Sequence, residues 1–216
     1  MIVVKDKFFV LWFDRIGIED TSLVGGKNAS LGEMYSNLKT DGIKIPNGFT
    51  VTSFSYNYFI DFNRLKEKIF KILKGIDAKD VKSLKSGGKQ IRELILKGNF
   101  PPDLQEKIAD SYELLKGKDK INPDVAVRSS ATAEDLVGAS FAGQQETYLN
   151  VRGKDELMGA IRKCFASLFT DRAISYRQDK GFNRFEIALS VGIQKMVRSD
   201  LGSSGVAFTQ IGRAHV

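Results

Sequence analysis

Gly25-Gly26-Lys27 sets two residues of permissive backbone and an ammonium group at the start of a helically patterned segment. The first N–H groups of a helix have no partner within it and, together with the helix dipole, favour an anion. The same glycines suit an ordinary turn that leaves Lys27 merely exposed. Later, Val127-Arg128-Ser129-Ser130-Ala131-Thr132 delivers an arginine from a strand into a run of hydroxyls. Its planar guanidinium fork matches phosphate oxygens; a structural salt bridge to Glu134 or Asp135 is the other reading. Gly138-Ala139-Ser140-Phe141-Ala142-Gly143 has small residues around Phe141 that let backbone N–H groups approach a polyphosphate, as covering loops do in kinases. This run is neither G-x-G-x-x-G nor a Walker A loop, so those fingerprints assign nothing. A Lys, an Arg and a small-residue loop bracketed by strands make a case for nucleotide phosphates.

The elements that must position these residues are legible as changes of period. Phe8 to Phe13 has the length and aromatic content of a buried strand, and Ala29, Leu31, Met34 and Leu38 place a helix over Lys27 to Leu38. Pro46-Asn47-Gly48 turns into a strand at Phe49 to Thr52. Three amphipathic helices follow, marked by Tyr58 to Leu73, Val81 to Ile95 and Leu104 to Leu115; they form a helical insert over about 57–118. After Pro123, Val125 to Val127 reads as a short buried strand and Thr147 to Val151 as another. One long helix is expected from Asp155 to about Gln178, and the β-rich run Ile187 to Val197 returns through a Gly and Ser turn into Val206-Ala207-Phe208. The fold class is therefore α+β.

Composition bounds the remaining possibilities. With 42% hydrophobic and 10% aromatic residues, 216 residues can build a core. The net charge of +7 suits nucleic acid, an anionic surface or a phosphorylated small molecule. Much of the basic excess lies between Asn63 and Lys120, dispersed among acids at helical spacing, which is the pattern of a solvated helical face rather than a nucleic-acid motif. The single Cys164 falls with Leu157, Ile161 and Leu168 at core spacing, and one thiol without a disulfide framework fits a reducing cytosol. No apolar run has the length of a membrane helix, so a cytoplasmic protein is expected.

At the chemistry-bearing residues the sequence resembles the phosphoenolpyruvate synthases and related dikinases. Leu23 to Met34 with Ile45 to Phe49 resembles the start of that family; Ala126 to Asp135, Gly138 to Val151 and Val191 to Gly205 are similar to the synthases in particular, in order and at family spacing. The resemblance covers Val10 to Thr209, with Leu65 to Lys120 alike only in helical character. Departures are Asn28 and Ser30, where the family favours Gly and Asn, and Asn47 and Val137, where Pro is usual.

The resemblance implies the amino-terminal part of an ATP-grasp-type nucleotide-binding domain. Lys27 and Arg128 would meet ATP phosphates, and Gly138, Ser140, Ala142, Gly143 and Thr147 would belong to the loop covering them. Gln194 and Met196 would edge the adenine pocket. It further implies that ATP, pyruvate and water give AMP, phosphoenolpyruvate and phosphate with Mg2+. A histidine on a mobile domain would carry the phosphoryl group, and the full-length protein could be a homodimer. Carrier histidine, pyruvate domain and metal-binding acids are expected beyond Thr209, so no catalytic or metal residue is assigned here. Pyruvate phosphate dikinase, a rifampin phosphotransferase and a non-catalytic nucleotide-binding remnant are alternatives; neither nucleic acid nor membrane is an expected partner.

The ending departs from every preceding pattern. Ile211-Gly212-Arg213-Ala214-His215-Val216 can be back-translated as ATC GGA AGA GCA CAC GTC, which matches a common sequencing adapter, so residues 210–216 are expected to be a scar outside the fold. His215 is the single histidine of the sequence.

Overall fold

The computed structural model describes residues 5–39, 41–77, 80–117, 121–132, 146–179 and 188–205. The described strands are β1 (Val10–Trp12), β2 (Gly48–Val51), β3 (Val125–Ala131), β4 (Thr147–Val151) and β5 (Leu189–Lys195). They form one sheet in the order β1-β2-β5-β3-β4, with every neighbouring pair antiparallel. The described helices are α1 (Thr21–Leu38), α2 (Ser53–Phe62), α3 (Lys66–Lys74), α4 (Val81–Leu96), α5 (Pro102–Lys116), α6 (Lys154–Ser167) and α7 (Asp171–Asp179). The fold is thus α+β.

The sheet is covered on both faces. Val51, Val127, Val191 and Ile193 point into the larger core, with Phe59, Ile91, Ile108, Ile161 and Phe165 of the later helices. Alternation sends the intervening residues to the other face, where α1 packs Leu23, Val24 and Ala29 against Leu11, Phe13 and Ile16. Cys164 lies wholly inside the larger core, and burial pushes its thiol well above the usual range, so it is an inert apolar side chain.

Helix starts carry local chemistry. Thr52 caps α2 by accepting the Ser55 N–H at 3.3 Å, Asp80 caps α4 through Lys82 at 2.9 Å, and α5 begins on Pro102, whose missing N–H costs nothing in a first turn. Tyr112 of α5 is fully buried. Its hydroxyl donates to the Pro123 carbonyl and accepts the Gly153 N–H, both at 2.8 Å, tying α5 to the entries of β3 and α6.

Two expected helices are each divided. The periodicity from Tyr58 to Leu73 spans α2 and α3, separated where Arg64 takes a φ of 51°. Asn63 enforces the break: Nδ2 donates at 2.8 Å to the carbonyls of both Phe59 and Asn99, and Oδ1 accepts the Asn99 N–H at 2.9 Å. The expected Asp155 to Gln178 helix is α6 and α7, broken at 168–170. There Arg92 donates Nη1 to the Phe169 carbonyl at 2.6 Å, and Arg177 donates Nη2 to that of Leu168. The expected return strand at 206–208 lies outside the described residues.

Arg177 is buried, and that burial lowers its pKa to about 10. Its Nε donates to the Ala173 carbonyl at 3.0 Å and its guanidinium lies 5.1 Å from the Phe169 ring centre. Replacing Arg177 by Met keeps the volume but leaves the Leu168 carbonyl unpaired, with an expected loss of about 2–3 kcal/mol of stability. A lower urea midpoint at unchanged m-value checks this; an unchanged midpoint means the hydrogen bonds only offset the cost of burying the cation.

Candidate functional site

Register places one row of residues across the sheet. Leu11 pairs with Thr50, Thr50 with Gly192, Gly192 with Arg128 and Arg128 with Thr147. All five face the α1 side, because their neighbours in each strand supply the larger core. Along this row the environment changes. Thr50 is buried and Gly192 is covered by α1, whereas Arg128 and Thr147 are exposed. Arg128 is the lone exposed position in a strand otherwise buried at all its residues. An arginine here does not serve the core, and it has no ion-pair partner among the described residues.

The strand extends further than Val125 to Val127. Arg128, Ser129 and Ser130 continue it, so the hydroxyls expected beside Arg128 are distributed over both faces. Ser129 faces the larger core, where its Oγ donates to the Glu146 carbonyl at 3.3 Å. Ser130 is buried on the α1 side beneath Gly25. Glu134 and Asp135, the alternative partners of Arg128, lie outside the described residues, as do Gly138, Ser140, Ala142 and Gly143.

α1 delivers the other cation. Gly25 has φ 71° and ψ 159°, a conformation that interrupts the helix, so the regular turns start anew at Gly26 and Lys27. The glycine pair, expected at a loop-to-helix junction, instead marks a kink inside α1, because residues 21–24 ahead of it are already helical. Gly25 is required twice over: its φ favours glycine, and a Cβ would lie 2.8 Å from the Ser130 carbonyl oxygen. Lys27 is exposed. Asn28, the next residue, lies with its side chain on Gly192, the register partner of Arg128. The Lys27 backbone and the Arg128 strand position are thereby brought to the same part of the sheet.

Gln194 and Met196 lie further along. Gln194 is on the same face as Gly192, two residues on in β5, largely buried, with Nε2 donating to the Pro46 carbonyl at 3.2 Å. Met196 follows the strand, half-buried, and its N–H donates to the Asp124 carbonyl at 2.9 Å. Asp124 is fixed by Arg152, whose Nε and Nη2 each donate to one carboxylate oxygen at 2.7 Å and hold that carboxyl below its usual pKa. The edge near Met196 is therefore anchored by a bidentate ion pair.

Sequence reasoning missed Asn28, Thr50 and Ser190 as a group. Asn28 is 1% exposed and its Nδ2 lies 3.1 Å from the Val24 carbonyl, 3.0 Å from Thr50 Oγ1 and 3.0 Å from Ser190 Oγ. The available signal was polarity at otherwise buried strand positions, Thr50 within Gly48–Val51 and Ser190 within Leu189–Lys195. Among the described residues no three His, Cys, Asp or Glu side chains come together as a metal site, and no helix is long and apolar enough to cross a membrane.

An exposed arginine paired in register with an exposed threonine, and a helix interrupted at Gly25 that carries an exposed lysine, are groups complementary to a chain of phosphates. Residues 21–212 match the family described as pyruvate phosphate dikinase, AMP/ATP-binding domain. The chain is 59% identical to the phosphoenolpyruvate synthase of Aquifex aeolicus over 210 residues, 97% of this chain and 24% of the relative. It is 52% identical to that of Helicobacter pylori over 202 residues, covering 93% and 25% of the two chains. Against that of Escherichia coli it is 50% identical over 200 residues, again covering 93% and 25%. The chain thus spans about a quarter of the length of these curated relatives.

Proposed function

Because the chain belongs to the pyruvate phosphate dikinase AMP/ATP-binding domain family, we propose that it is the ATP-binding part of a phosphoenolpyruvate synthase. The complete protein would convert ATP, pyruvate and water into AMP, phosphoenolpyruvate and phosphate through a phosphohistidine. The observation carrying this reading is the 59% identity, over nearly all of the chain, to a protein of that name. An ATP-grasp-type domain over residues 1–209, with a helical insert over about 57–118 and residues 210–216 as an appended tail, is the finer architecture.

In this reading Lys27 and Arg128 neutralise ATP phosphates, Arg128 through its fork and Lys27 as a point charge. Thr147, register partner of Arg128, supplies a hydroxyl beside the guanidinium, and Gly138, Ser140, Ala142 and Gly143 supply backbone N–H groups over the phosphates. Gln194 and Met196 edge the adenine. The chemistry asked of these groups is positioning and charge neutralisation; the nucleophile is a histidine on another domain. Mg2+ would accompany the ATP phosphates as counter-ion, and no described residue is assigned as its ligand. Pyruvate as acceptor, a homodimer and a cytoplasmic location belong to the complete protein and follow from the same reading.

The test is an assay of the complete polypeptide with ATP and pyruvate. Formation of AMP and phosphoenolpyruvate without added phosphate is the expected result. A phosphate requirement with pyrophosphate release, or activity only with another acceptor, moves the protein to a sister dikinase. ATP binding without turnover makes it a nucleotide-binding remnant.

A further inference from the structure

Asn28 places an amide where α1 meets the sheet, and its orientation is fixed by chemistry. The Val24 carbonyl only accepts, so the atom facing it at 3.1 Å is the NH2 nitrogen. That nitrogen also lies 3.0 Å from Thr50 Oγ1 on β2 and from Ser190 Oγ on β5, so its two hydrogens are shared among three acceptors. The Ser190 hydroxyl in turn donates to the same Val24 carbonyl, leaving its lone pairs to accept from Asn28. Val24 immediately precedes Gly25, and the other side of the amide lies on Gly192, the register partner of Arg128. One buried side chain therefore ties the glycine junction to two strands and abuts the row that carries Arg128.

We infer that Asn28 is the positioning residue of this site: it sets Gly25-Gly26-Lys27 at a fixed distance from Arg128, so that both cations engage one phosphate chain. The inference rests on the ATP-binding reading above. A glycine at position 28 could form none of these side-chain bonds and would leave that spacing to backbone packing alone.

A double-mutant cycle in the complete protein tests it, with the dissociation constant for Mg-ATP measured calorimetrically. The variants are Asn28→Ala, Lys27→Ala and both together. Asn28→Ala is expected to weaken ATP about tenfold when Lys27 is present and less than about twofold when it is absent, because residues acting through one another are not additive. Thr50→Val, which removes one acceptor at constant shape, provides the same cycle if Asn28→Ala does not fold, with a smaller loss confined to the Lys27 background. Equal losses in both backgrounds, or none, overturn the inference and make Asn28 a stabilising residue only. If Lys27→Ala binds ATP like the wild type, the underlying phosphate reading fails and the inference with it.

Discussion

Arg128→Ala in the complete protein is expected to slow ATP-dependent phosphorylation of the carrier histidine by about 10³-fold, some 4 kcal/mol of barrier, without loss of fold. The fold should survive because Arg128 is exposed and contributes nothing to the larger core; the strand is held by its pairing with β5 and β4. On the proposed ATP-binding reading the reaction should suffer, because a guanidinium placed beside the phosphates would neutralise charge as the phosphoryl group moves and hold the phosphates in one geometry. Arg128→Lys separates charge from shape. It keeps the cation but loses the fork, and an intermediate defect of roughly tenfold to a hundredfold is expected. Phosphohistidine formation is followed by rapid quench with labelled ATP, and circular dichroism reports the fold. A normal rate in Arg128→Ala removes the residue from the site.

Gly25→Ala is expected to have the largest effect on the fold itself. At φ 71° and ψ 159° a side chain is strained wherever it stands, at a cost of about 1–3 kcal/mol. Here the new Cβ would also meet the Ser130 carbonyl oxygen and carbon at 2.8 and 2.9 Å. Ser130 cannot retreat, since it is fully buried and paired with Ser190. Strain and overpacking together should cost about 3 kcal/mol or more and lower Tm by roughly 10 °C. ATP affinity should fall too, because the helix start carrying Lys27 must lift from the sheet. Gly42→Ala is the control: its φ is 78° but nothing lies within 4 Å of the new methyl, so it reports the backbone cost alone. Equal urea midpoints for the two variants would mean that contact with Ser130 is not limiting.

The local periods were legible because they arise from burial on one face, and burial is written in residue type. β4 starts at Thr147, where the spacing puts it, and β2 begins one residue early at Gly48. β1, by contrast, spans Val10–Trp12 within the expected run Phe8 to Phe13, and the helix carrying Lys27 begins at Thr21, with only a kink at the glycine pair. The divisions between α2 and α3, and between α6 and α7, were not legible, because apolar spacing runs through both breaks. What ends these helices is tertiary: Asn63 bonding across to Asn99, and Arg92 and Arg177 capturing carbonyls at the second break. The length of β3 was hidden for a different reason. Arg128-Ser129-Ser130 has loop polarity, yet each residue is placed separately, Arg128 outward, Ser129 on the Glu146 carbonyl and Ser130 under Gly25. Of the site, the residue types of Lys27 and Arg128 were visible in the chain. Their link through Gly192 and Asn28 depends on the register of β5, which no local pattern encodes.

The strand order has a consequence for biosynthesis. β5 lies between β2 and β3, although it is made after both. While the chain is emerging from the ribosome, β2 and β3 each carry an open backbone edge until residues 189–195 arrive to satisfy them. The sheet closes as one late event joining segments far apart in the chain, which makes folding slow and exposes the intermediate to edge-to-edge association. Soluble yield should therefore depend on how quickly translation proceeds from the end of β4 to the end of β5.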